Sequence, residues 1–324
     1  MANTNAADLF YRSQVPPTAS QNPGSKIFTS VFDKYMVAPS SKDDSSYLVF
    51  PVSYTTTLRD DEGEEIDGGF KDSEDWDGIQ WAAGVYEHLR GNHPKLLEFK
   101  GRDPYGYLLS KSSIGPLTFA LHSHPTFTNN ALSPALIYRW AFNTLSALQY
   151  LHSRDVVHYE FCSETLWLEP DLSLSLLGLW GAHIGHYCPT TGNQMTDIRL
   201  EERFVSFQTD LFDWASWVYG LVTGKGALAV LEGFEGGPNE MEEERRRRVA
   251  AKEFPVLGEE MLGAVVGKCW RGEYASSMEA VDELKVFLEQ MGFECGGNGD
   301  LVDFDNTPYK YLKVFDNPYL TLDA

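Results

Sequence analysis

The stretch from Leu136 to Gly181 constrains the fold of this chain more than any other. Leu136, Ile137, Trp140, Ala141, Leu145, Leu148 and Leu151 recur at the three- and four-residue spacing of a helix, which ends near His152. Ser153, Arg154 and Asp155 turn the chain into Val156 and Val157, and His158, Tyr159 and Glu160 follow. A hydrophobic alternation then runs to Leu177, Gly178, Leu179, Trp180 and Gly181, which predicts a tight hairpin. A helix, a short turn holding a His and a carboxylate, and a hairpin must share one core.

The rest of the chain is long enough to supply that core. Its 324 residues are 43% hydrophobic, which suffices for one large core or two smaller ones. A formal net charge of −21 argues against non-specific binding to nucleic acid or to an anionic membrane surface. Cys162, Cys188, Cys269 and Cys295 lie far apart with no CxxC spacing, so free thiols in a reducing compartment are expected. Residues 1–25 are polar and rich in Asn, Ser and Pro, with no basic stretch leading into an apolar run. No stretch reaches the roughly 18 apolar residues of a membrane span. The expectation is an intracellular, cytoplasmic protein that binds neither nucleic acid nor membrane.

Read in order, residues 1–25 are expected to form a disordered arm, because they offer little apolar surface to offset the entropy of ordering. Residues 27–32 and 46–52 read as strands, and the acidic run between Arg59 and Trp76 as a solvated loop. A helix over Ile79–Leu89 stops at Gly91 and Pro94, and strands over 95–99 and 107–110 flank a turn at Asp103–Gly106. Lys111–Gly115 reads as a connector, with Pro116 opening a short helix. Four more helices are expected over 209–223, 239–252, 259–270 and 277–291, making the second half all-helical. Strands first and helices later predict an α+β protein. Phe304, Tyr309, Tyr311, Phe315 and Tyr319 make the tail too aromatic to stay undocked.

On several residues this order resembles the eukaryotic-type protein kinases, in the style of small, divergent fungal-type members. Tyr150, Leu151 and His152 followed by Val156, Val157 and His158 are similar to the family's approach to its catalytic loop. Asp210, with Gly220 and Gly224 downstream, resembles the helix whose Asp accepts hydrogen bonds from that loop's backbone. Tyr86–Leu89 before His93 and Pro94 resembles the end of the small lobe's regulatory helix, and Lys268, Cys269 and Trp270 a late Cys-Trp segment. The resemblance implies a bilobal fold: a small β-rich N-lobe over 26–111, a larger helical C-lobe over 112–299, and an aromatic tail over 300–324 docked on the body.

The chemistry expected on that frame is depleted. Phosphoryl transfer requires residues that position nucleotide, metal and acceptor hydroxyl. Where the family has His-Arg-Asp-x-Lys-x-x-Asn, this chain has His158, Tyr159, Glu160, Phe161, Cys162, Ser163, Glu164 and Thr165. Glu160 stands as the candidate acid/base with His158 beside it, Cys162 replaces the Lys, and Thr165 replaces a metal-holding Asn. Family spacing puts the Asp-Phe-Gly position at Gly178–Trp180, and a shift of one residue either way finds no carboxylate for a hard cation. The regulatory-helix Glu falls near Ala82, Ala83 or Gly84, and Lys71 is the only candidate for the phosphate-contacting Lys. Positional equivalence thus gives Lys71, Thr165 and Gly178 as nucleotide-contact positions, with Asp210 as structural anchor.

These residues predict a pseudokinase that acts as a binding or scaffolding protein for a protein partner. No cofactor is expected, ATP without metal being the alternative, and an atypical enzyme or weak phosphotransferase using Glu160 is the other reading. His122, His124, His183 and His186 with Cys188 have zinc-type ligands but sit on different segments, so no metal is expected. Trp167 and Trp180 flank the expected cleft, and Trp180 is a candidate to fill the space left by absent phosphates.

Overall fold

A computed structural model gives the fold and describes residues 16–19, 28–29, 35–54, 71, 73–111, 114–123, 132–185, 187, 205–225, 231 and 234–307. The architecture is mixed α+β. Strands β1 (Phe28–Thr29), β2 (Tyr35–Pro39) and β3 (Ser46–Pro51) precede helix α1 (Glu74–Leu89), and β4 (Phe99–Asp103) and β5 (Gly106–Ser110) follow it. These strands form one antiparallel sheet in the order β1, β2, β3, β5, β4. Tyr35, Val37, Tyr47, Val49, Tyr107 and Leu109 project from one face into the main core, where they meet Ile79, Ala82, Ala83, Tyr86 and Leu89 of α1.

The other face of the sheet is apolar as well, and residues 16–19, within the expected disordered arm, lie against it. Met36, Ala38, Leu48 and Phe50 form a second buried cluster with Ala19. Ala19 bridges to Ser40, the Ser41 N–H donates to the Thr18 carbonyl at 2.8 Å, and the Thr18 hydroxyl donates to Asp103 at 2.9 Å. Residues 16–19 are therefore docked, because a sheet apolar on both faces requires two covers.

Helix α1 begins five residues before the expected Ile79. Ser73 caps it by accepting the Trp76 N–H at 3.2 Å, and Glu74, Asp75 and Asp77 occupy its first turn. Carboxylates there favour the positive end of the helix dipole, so the end of the acidic run is helical. Residues 55–70, which hold most of that run, lie outside the described residues.

The second half is not all-helical. Short strands β6 (Gly115–Pro116), β8 (Leu166–Leu168) and β9 (Leu174–Leu176) make a three-stranded sheet, and β7 (Val156–Val157) pairs with β10 (His183–Ile184). Helix α2 (Leu117–Ser123) follows β6, and the central helix α3 (Pro134–His152) starts with Ser133 as cap and Pro at its first position. Around α3 pack α4 (Phe207–Thr223) and α7 (Ser277–Gln290), with α6 (Gly263–Arg271) against α4. Helix α5 (Pro238–Ala250) presents the expected charged face, with Glu244 paired to Arg247 at 2.7 Å and Arg248 at 2.6 Å. The helix expected over 259–270 is broken at Leu262, whose φ of 66° no α-helix accommodates.

The start of the tail is bound to α3. Asp300 accepts from Arg139 at 2.7 Å and from Lys95 at 2.6 Å, and Arg139 also pairs with Asp171 at 2.9 Å. The Arg139 guanidinium lies 4.6 Å from the centre of the Phe304 ring. Burial alone would raise the Asp300 carboxyl, but Arg139 and Lys95 hold it down at about 2. Tyr309, Tyr311, Phe315 and Tyr319 lie outside the described residues. Among the described residues no helix is long and apolar enough to cross a membrane.

Candidate functional site

Asp210, in the first turn of α4, organises the loop after β7. Its side chain is wholly buried. Oδ2 accepts the His158 N–H at 2.7 Å, Oδ1 accepts the Tyr159 N–H at 2.7 Å, and the His152 Nε2 lies 2.8 Å from Oδ2. Burial would raise its pKa, yet the His152 hydrogen bond, the nearby imidazoles and the Tyr159 N–H together lower it. The carboxylate thus stays ionised, with hydrogen bonds and the neighbouring imidazoles compensating its lost hydration. It also holds Tyr159 at φ 71°, a left-handed conformation that costs a non-glycine residue roughly 1 kcal/mol.

His158 faces the other way and is fully buried. Its Nε2 lies 2.9 Å from the Leu177 carbonyl, an acceptor only, so this nitrogen carries the proton. Burial lowers its pKa, and Asp210 offsets part of that effect. With its one proton spent on the backbone, His158 is a neutral tie between the loop and the end of β9. It is not placed to exchange protons with a ligand, so the candidate role beside Glu160 is replaced by a structural one.

Glu160 is half-buried, and its carboxyl lies across Gly181, where a Cβ would stand 2.5 Å from Glu160 Cδ. Thr165 donates its hydroxyl to the Cys162 carbonyl at 2.9 Å and accepts the Cys162 N–H at 3.2 Å. That closed exchange, in a buried side chain, turns Thr165 into a loop cap instead of an outward-facing ligand. Burial, with Glu164 alongside, pushes the Cys162 thiol up to about 12 and leaves it unactivated at neutral pH.

Gly178 adopts φ 85°, and a Cβ there would lie 2.9 Å from Thr165 Cγ2 and 3.2 Å from the Tyr35 hydroxyl. The structure therefore brings Thr165 and Gly178 together, with the hydroxyl of Tyr35 of β2 also close to Gly178. Tyr35 is buried, and burial together with Tyr107 and the groups at 160–164 raises its pKa well above the usual value. Lys71 is not part of this assembly. It is exposed, with its ammonium 5.9 Å from the centre of the Trp76 ring, and β3, the strand preceding α1, contains no lysine. Its nearness in sequence to α1 suggested a cleft position, but it precedes the helix on the surface.

Further residues tie the sheet and α1 to the helical half, and of these only Trp167 and Trp180 were singled out in the sequence. The single turn Leu179–Gly181 meets α1, with Trp180 only 3% exposed. Its indole occupies the space beside Gly78, where a Cβ would be 1.6 Å from Nε1. Trp81 of α1 donates its Nε1–H to the Ala182 carbonyl at 2.7 Å. Trp167 lies edge-on to Tyr47 at 5.1 Å, a further contact between the sheet and the helical half. A glycine early in a helix was the one available signal, since it lowers helix stability by about 1 kcal/mol relative to Ala and so implies a packing reason.

Among the described residues no group of three or more His, Cys, Asp or Glu side chains is gathered to hold a metal ion. His124, His186 and Cys188 fall outside the described residues, while the His183 ring is tilted against Tyr159 with centroids 4.9 Å apart. No family model matches the chain, and no curated protein matches it.

Proposed function

We propose that this chain is a bilobal, protein-kinase-like domain that has lost phosphotransfer and acts as a binding or scaffolding protein. One juxtaposition carries the reading. The Asp210 clamp grips His158 and Tyr159 as the resemblance requires of a catalytic-loop frame, while the turn that should supply a metal carboxylate holds buried Leu179 and Trp180. Leu, Trp and the self-capped Thr165 offer a hard cation no anionic oxygen, and neither β3 nor the α1 face under the sheet offers a charged pair for phosphates. Within α1, Glu87 pairs instead with Arg102 at 2.8 Å on the exposed side. An acidic chain of this kind suits a protein partner better than nucleic acid or membrane.

Thermal unfolding of the purified chain with ATP, with and without Mg²⁺, tests the reading. No rise in Tm in either condition, and no transfer of labelled γ-phosphate to protein substrates, is the expected result. A rise without metal would support metal-free ATP binding instead, and labelled product would overturn the reading. Glu160 motivates the enzymatic alternative, because it keeps a half-buried carboxyl beside Gly181. On that alternative, Glu160→Gln abolishes a detectable activity without changing Tm.

A further inference from the structure

We propose that α1 is latched to the helical half by Trp180 and Trp81, so that the sheet it carries is held against that half by the chain itself and needs no ligand to bring it there. This inference rests on packing geometry and stands whether or not the kinase-like reading does.

Two contacts of different kind converge on four consecutive residues. The Trp180 indole sits in a notch of α1 that exists only because residue 78 has no side chain. One turn further along the same helix, Trp81 spans 101 residues of sequence to hydrogen-bond the Ala182 carbonyl at 2.7 Å. The turn is also covered at Gly181 by the Glu160 carboxyl. For α1 to swing away, an almost fully buried indole must leave its notch and a hydrogen bond must break together.

The latch has a consequence for the sheet. The core face of α1 packs under β3, β4 and β5, so fixing α1 fixes the sheet. Tyr35, carried on that sheet, then remains seated against Gly178. Elements that open and close on ligands usually come from the weakly packed end of a structure. Here the contact between the two halves is instead aromatic, notched and buried.

Hydrogen–deuterium exchange of the full chain, resolved by peptide mass spectrometry, tests the latch. Trp81→Phe keeps an aromatic ring and removes the donor to Ala182. Exchange across residues 79–89 is expected to speed up about three- to tenfold, the effect of one lost hydrogen bond, while α3 and α4 stay unchanged. Trp180→Leu empties the notch and is expected to speed the same peptides more than tenfold. Should Trp180→Leu fail to fold, Trp81→Phe decides alone. Unchanged exchange in α1, or an equal rise in α1, α3 and α4, would overturn the latch, because the contact would then be idle or merely part of global stability.

Discussion

Two glycines six residues apart in α1 give opposite predictions for one substitution. At Gly84 a new Cβ would have only Arg102 Nη2 near it, at 3.8 Å, an ordinary contact. Gly84→Ala therefore gains helix propensity freely, and stability should rise by about 0.5–1 kcal/mol. Gly78→Ala gains the same propensity but sets its methyl 1.6 Å from Trp180 Nε1 and 2.1 Å from Cε2. The indole must leave, and overpacking costs about 1–3 kcal/mol, rising toward the 3–5 kcal/mol of losing a buried Trp outright. Subtracting the propensity gain leaves a destabilisation of about 2–4 kcal/mol, so sterics outweigh propensity. Urea denaturation of the two full-length variants reads this directly as midpoints moving in opposite directions. In a Trp180→Leu background Gly78→Ala should lose most of its penalty, which isolates the pairwise coupling. A stabilising or neutral Gly78→Ala in the parent chain would refute the reasoning.

Three further outcomes follow from the buried groups. Asp210→Asn should cost about 3 kcal/mol, measured by denaturant melt, because one amide N–H must point at a donor among His158, Tyr159 and His152. Asp300 is held at about 2 in the folded chain against an ordinary 3.8. The stability it contributes, about 2 kcal/mol, is thus present above pH 4 and drains away as pH falls from 4 toward 2. Asp300→Asn should lower stability at pH 7 and flatten that acid limb, and a limb unchanged by the substitution would contradict the assignment. Iodoacetamide at pH 8 should modify native Cys162 about a thousandfold more slowly than a free thiol of pKa 9, as a pKa near 12 implies. Mass spectrometry of the Cys162 peptide reads that rate, and labelling at the free-thiol rate would show the thiol to be unburied.

Legibility from sequence tracked how locally each feature is determined. Helices α3, α4 and α7 were readable because each buries one stripe at helical spacing and carries its own start or stop signal, such as Ser133 before α3 and Gly224 after α4. Strand β2 was missed, since Tyr35–Pro39 is buried on both faces and shows no polar alternation. Asp210, His158, Thr165 and Gly178 were singled out by the resemblance in residue order, and the structure ties His158 to Asp210 and to Leu177 and sets Thr165 beside Gly178. Lys71 is exposed beside Trp76, since nearness in sequence to a helix does not fix where a side chain reaches. Tyr35 and Gly78 matter only through partners more than 100 residues away, and no local pattern encodes such a meeting.

The docked segment at residues 16–19 bears on how this protein should be handled. Anyone trimming the chain to begin after residue 25, as its polar composition invites, would strip Ala19 from Met36, Ala38, Leu48 and Phe50. The freshly bared hydrocarbon would seek cover from neighbouring molecules, and the shortened protein should clump in the tube while its interior remains correctly folded.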